Sequence, residues 1–160
     1  MPDNKSDLAR LLSEHIIVNA PPDKVVVAAG GFADEREVQS SEGAIDLPAL
    51  RATHEEADTR LIGHCVNSSL NNIVVSARDT DVVLLLVAHV PYIACPNLYM
   101  MFGTAKNRKY FNVRAIHENL PAGSVSALLP FHALTGCNTT SFIRSHSKKS
   151  AWKVTHFFPH

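Results

Sequence analysis

The sequence is poor in charge. Asp, Glu, Lys and Arg make up 19% of its 160 residues, against roughly 25% in ordinary globular domains. With 46% hydrophobic content, that excludes a disordered chain and predicts one well-buried globular unit. Long apolar runs are also missing. None approaches the ~18 residues of a membrane span, and the N-terminus lacks the apolar core of a signal peptide. The expected location is therefore intracellular, without a membrane partner, and the nucleus is one compartment it would suit. Cysteine is scarce: Cys65, Cys95 and Cys137 are far apart and form no C-x-x-C pair. Reduced buried thiols are expected rather than disulfides or a zinc cage. His54-Glu55-Glu56-Ala57-Asp58 opens like a zincin helix, but Asp58 stands where the second His is needed. No G-x-S-x-G elbow occurs, and Gly30, Gly31 and Gly103 make no phosphate-binding fingerprint.

What the chain does contain is organised around residues 73–86. Ile73-Val74-Val75 reads as a buried strand of a parallel sheet. Asp79 and Asp81 stand at its carboxyl end, ahead of a second apolar run at residues 82–87. In open α/β sheets ligands bind at that end of the strands. Two carboxylates between core segments need compensation, and a divalent cation would supply it. Alternatively the corner is a polar strand-to-helix turn in which Asp79 caps the next helix. The residues alone leave both open.

Other elements follow from pattern. Leu8, Leu11, Leu12 and Ile16 form a helical stripe over residues 5–17. Residues 24–29 read as a strand closed by Gly30-Gly31, and residues 33–46 as a polar, acidic loop or poorly packed helix. A helix over residues 53–66 starts with Thr53 and Glu56 at capping-box spacing. Its acids, Glu55, Glu56 and Asp58, would complement the helix dipole or converge on an ion ahead of the N-terminus. Residues 97–102 and 110–116 read as paired strands around a basic turn, and residues 121–134 as an apolar helix ending at Gly136. His54 suits a surface or N-cap role, Trp152 closure of a small C-terminal core, and Tyr99, Tyr110 and Phe111 strand packing.

Charge is segregated. Residues 1–81 carry fourteen acids against seven Lys and Arg, and residues 82–160 one acid against eight. An acidic half and a basic half suggest a cation site beside a polyanion-binding surface.

Three motifs in order, Glu56-Ala57-Asp58, Asp79-Thr80-Asp81 and Gly136-Cys137-Asn138, resemble the flap-endonuclease/XPG-like branch of the PIN-like nucleases over residues 53–154. The resemblance implies an α/β fold, a three-layer α/β/α arrangement with a mainly parallel central sheet, followed by a truncated C-terminal helical hairpin. It implies a single domain over residues 1–160, incomplete at both ends, with residues 139–160 the remnant of a helix–hairpin–helix-type segment. Glu56, Asp58, Asp79 and Asp81 would be catalytic and, with Asn138, would hold Mg²⁺ or Mn²⁺. Two such ions about 4 Å apart can deliver hydroxide to a phosphodiester and stabilise the leaving oxygen. Carboxylates suit these hard cations. Lys106, Arg108, Lys109, Arg144, Lys148, Lys149 and Lys153 would hold the phosphates of DNA or RNA without regard to sequence.

The implied activity is metal-dependent hydrolysis of structured or single-stranded nucleic acid. Three departures favour a catalytically inactive PIN-like module that binds nucleic acid or protein. Asn138 replaces the family's last aspartate, the early strand ends in Gly30-Gly31 without an acid, and residues 144–150 lack the hairpin glycines.

Overall fold

The computed structural model describes residues 2–34, 36–42, 50–51, 57–121 and 123–135. They fall into two compact units, divided between Asn67 and Ser68, each containing helices and strands. Among the described residues no helix is long and apolar enough to cross a membrane.

The first unit holds helix α1 (Pro2–Val18), an antiparallel pair of short strands, β1 (Val27–Ala29) and β2 (Val38–Ser40), and helix α2 (Ala57–Val66). Helix α1 forms as its periodicity predicts, but the apolar stripe faces outward, with Leu11 63% exposed. Its small residues make the approach instead. A Cβ added to Gly31 would lie 2.7 Å from Ser13 Oγ and 3.0 Å from the Ala9 carbonyl oxygen, so only glycine lets the helix backbone come so near. Ser13 Oγ donates to the Gly30 carbonyl at 3.2 Å, fastening helix to turn. Strand β2 falls inside the segment expected to be loop, and Val38 on it is buried.

The second unit is built on a three-stranded sheet, β3 (Asn72–Ser76), β4 (Asn97–Thr104) and β5 (Asn107–Asn112), in that order. β3 and β4 run parallel, while β4 and β5 form an antiparallel hairpin. Among the described residues, the parallel pairing of the mainly parallel sheet expected is confined to β3 and β4, beside the hairpin that the sequence also predicted. Helices α3 (Thr80–His89), α4 (Val113–Glu118) and α5 (Ser124–Thr135) complete the unit. The expected second strand stops at Asn112, whose Oδ1 accepts the Ala115 N–H at 3.0 Å and so caps α4.

The core lies on one face of this sheet. Leu98 and Met100 of β4, Val82 and Leu86 of α3 and Val113 of α4 are fully buried. β3 is buried on that face alone: Val75 is covered, whereas Val74 is 53% exposed. Burial on both faces, as the β-branched run suggests, is not found. Cys65 and Cys95 are buried and form no disulfide, and the Cys95 thiol donates to the Asn97 carbonyl at 3.3 Å.

The chain entering β4 is held from α4. Arg114 Nε donates to the Cys95 carbonyl at 2.7 Å, and Arg114 Nη2 donates to the Ile93 carbonyl. His117 Nδ1 donates to the Val87 carbonyl at 2.9 Å, tying α4 to the end of α3. Arg114→Met should therefore lower the unfolding free energy by about 2 kcal/mol, since hydrogen bonds to a charged donor contribute about 1.5–3. Urea denaturation of both proteins measures this, and an unchanged midpoint would show that the clamp contributes nothing.

Candidate functional site

The Asp79-Thr80-Asp81 corner joins β3 to α3. Asp79 has extended backbone angles, φ −84° and ψ 131°, and its Oδ1 accepts the Asp81 N–H at 3.0 Å. It is the N-cap of α3, and its carboxylate also lies at the positive end of the helix dipole. Of the two readings open for this residue, capping is the one the geometry realises.

Asp81 points elsewhere. Its Oδ2 lies 3.2 Å from His132 Nε2 of α5, and the two side chains are only 22% and 12% exposed. The α3–α5 packing brings them together across 51 positions of sequence. No spacing rule pairs them. The one available signal was a histidine set within the otherwise apolar helix at residues 124–134.

Among the described residues, no group of three or more His, Cys, Asp or Glu side chains gathers where it could hold a metal ion. Asp58 stands, partly buried, in the first turn of α2 in the first unit. Glu56, Asn138, Arg144, Lys148, Lys149 and Lys153 lie outside the described residues. At the second unit's corner, two hard oxygen donors remain. One is engaged as a helix cap and the other by an imidazole.

The three remaining basic candidates are together. Lys106 lies in the turn of the β4–β5 hairpin, and Arg108 and Lys109 follow on β5; all are exposed. Register decides their faces. Tyr99 pairs with Asn112, Met101 with Tyr110 and Gly103 with Arg108, and paired residues project to the same side of a sheet. Tyr99, Tyr110 and Arg108 therefore share the face opposite Leu98 and Met100, together with Val74 of β3. Tyr110 is 54% exposed and Tyr99 partly so. The expectation that these rings serve strand packing fails for Tyr110. Phe111, on the core side, packs edge-on against Phe102 at 5.5 Å between centroids, yet stays 44% exposed on this edge strand.

The first unit contains a cavity of about 550 Å³ between the β1–Gly30–Gly31 turn and α2. Arg60 and His64, one turn apart on α2, line it. Burial, and secondarily the Arg60 guanidinium, push the His64 pKa below its usual 6.5. Neither residue was singled out as a ligand-binding candidate in the sequence, where His64-Cys65 has no partner at zinc spacing.

Two outcomes follow. Asp79→Ala should destabilise the protein by about 1 kcal/mol as a lost N-cap, and Asp79→Asn should cost less because its amide oxygen can still cap. In a crowded carboxylate cluster Asp79→Ala would instead stabilise the metal-free protein, so denaturation in EDTA separates the two. For His64, the folded state binds the proton less readily than the unfolded chain. Its contribution is therefore complete above pH 6.5 and is lost as pH falls through that value toward the lowered one. The stability difference between the protein and His64→Gln should shrink from pH 7.5 to pH 5, and a difference independent of pH would contradict the assignment.

Compared with known protein families, with characterised proteins and with solved structures, the chain matches none of them.

Proposed function

We propose that this chain is a non-catalytic, PIN-like nucleic-acid-binding module that takes single strands on the open face of the β3–β4–β5 sheet. The observation that carries the reading is the exposed Tyr110 beside Tyr99 and Arg108 on that face, with Lys106 in the hairpin turn at its rim. Single-strand binding needs a cationic track for phosphates and rings on which bases stack. A sheet face presents both at a spacing of about 5 Å between strands.

The PIN-like part rests on the order of elements. A strand leads through Asp79-Thr80-Asp81 into α3, and a parallel strand pairs with β3. Loss of catalysis is supported by the engagement of Asp79 as a cap and of Asp81 with His132. Asn138 in place of the family's last acid supports it too. Hydrolysis with Mg²⁺ or Mn²⁺ has no comparable support among the described residues.

Anisotropy titration with a labelled single-stranded oligonucleotide tests the reading. Binding should weaken as salt rises, with log K falling by about 0.7 per phosphate contact per decade of salt. It should be the same in EDTA and in Mn²⁺, with no cleavage. Tyr110→Ala should weaken binding by at least about fivefold, the lower end of one base-stacking contribution. Cleavage abolished by EDTA and by Asp79→Ala would replace this reading with the nuclease. No binding at low salt would remove it.

A further inference from the structure

The sheet of the second unit has two edges, and they are built differently. β5 closes one side, where Arg108 and Lys109 place charges along the strand, a protection against pairing with another chain. β3 closes the other, and from Asn67 to Ala77 the sequence has no charged residue, proline or glycine. We propose that the free edge of β3 is a dimerisation site, on which β3 of a second copy of this chain adds antiparallel about a twofold axis at Val74.

Among the described residues, no backbone group pairs with that edge. Its polar groups are identified by the ladder on the strand's other side. The Asn71 carbonyl accepts the Asn97 N–H at 3.2 Å, and Asn72 to Ser76 run parallel to Asn97 to Met101. Successive residues of a strand direct their N–H and C=O groups to opposite sides. Ile73 and Val75 therefore bond to β4, and the backbone groups of Asn72, Val74 and Ser76 point to the free edge. Three donors and three acceptors stand there in a row, a template for one further strand.

This template fits itself. With Val74 opposite Val74 of the second copy, Asn72 meets Ser76 and Ile73 meets Val75, so each copy's three free N–H groups donate to the other's three free carbonyls. The side chains match as well. Ile73 and Val75 pair with Leu98 and Met100 of the core face, and Asn72, Val74 and Ser76 belong to the open face. Apolar residues then meet apolar ones and amide meets hydroxyl. A slip of one residue would set core-side residues of one copy against open-side residues of the other. A charge on the axis would face its own copy, and Val74 carries none. Selection of a foreign strand would need charges beside the edge, which this stretch lacks. Both open faces come to lie on one side of a continuous sheet, whatever those faces bind.

Sedimentation equilibrium of the full chain tests the proposal. The mass should rise from monomer toward dimer as concentration increases to about 1 mM, because a single strand edge buries less than a standard interface. Val74→Lys sets two ammonium groups at the axis and should raise the dissociation constant at least about tenfold. Val74→Pro removes a donor that β4 does not use and should act likewise. Val74→Thr, which keeps the β-branch, should associate as the parent does.

Val74→Cys tests the register. Opposed Cα atoms in a hydrogen-bonded antiparallel pair lie about 5.5 Å apart, within reach of a disulfide. Oxidation with copper–phenanthroline should join two copies through residue 74, as read by mass spectrometry of the linked peptide. Tyr92→Cys, at an exposed position off the sheet, should not form such a link. Amide dispersion in NMR spectra verifies that each variant is folded, and should Val74→Pro unfold, the Lys and Cys variants still decide. A monomer at every concentration would overturn the proposal. So would linkage that excludes residue 74, or a dimer that Val74→Lys leaves intact and Leu11→Glu, on the exposed stripe of α1, dissociates instead.

Discussion

The second unit depends on how β4 is held. It is the middle strand, parallel to β3 on one side and antiparallel to β5 on the other. Leu98 and Met100 put its core face against the helices, and Tyr99 and Met101 put its other face outward. A strand slipped by one residue would exchange these two sets completely. The Arg114 guanidinium fixes the carbonyls of Ile93 and Cys95 just before the strand begins. Those carbonyls would otherwise be orphaned in a partly buried turn, at a cost of about 1–3 kcal/mol each. The same contact anchors α4, whose Asn112 cap ends β5. One side chain thus links strand entry, hairpin exit and helix start.

An Asp-x-Asp pair after a strand has two uses, and they differ in where the oxygens point. A metal site needs several carboxylates converging, each repelling the others until the cation arrives. A strand-to-helix turn needs one oxygen directed at the backbone N–H groups of the first helical turn. Asp79 meets the second condition through the Asp81 N–H. Asp81 then faces sideways to His132, within the α3–α5 interface. A partly buried carboxylate with a histidine partner avoids most of the desolvation cost it would carry alone. Both acids therefore contribute to folding, which is reason enough for their positions without an ion.

Legibility in the sequence followed the range of the interaction. The Ile73-Val74-Val75 run falls inside β3 because β-branched residues report extended structure locally. Helix α3 and the β4–β5 hairpin were equally visible as an apolar run and a basic turn between strands. Strand β2 was not, since three residues including Gln39 and Ser40 carry no alternation to detect. Periodicity found α1 but not the side by which it packs. The close approach of Ala9 and Ser13 to Gly31 is set by steric fit, to which a hydrophobic stripe is blind. Alternation along β5 likewise placed Tyr110 on a face without telling whether anything covers it. The Asp81–His132 pair and the Arg60–His64 cavity wall need tertiary contacts that no spacing encodes.

The open sheet face and the capped aspartates bear on function together. A nuclease of the kind the motifs resemble must hold its phosphate where the metal ions lie, at the carboxyl end of the strands. Here the described aromatic and basic side chains spread across the flat of the sheet and along its edge, on β4 and β5. On the proposed reading, phosphates tracking that surface would be positioned by Arg108 and Lys106, and bases by Tyr110 and Tyr99. Such a layout spreads binding over several nucleotides and concentrates strain on none of them. Hydrolysis needs the opposite, one phosphodiester fixed against an activated water. On the proposed reading, the sheet-face geometry suits retention of a strand rather than its cleavage.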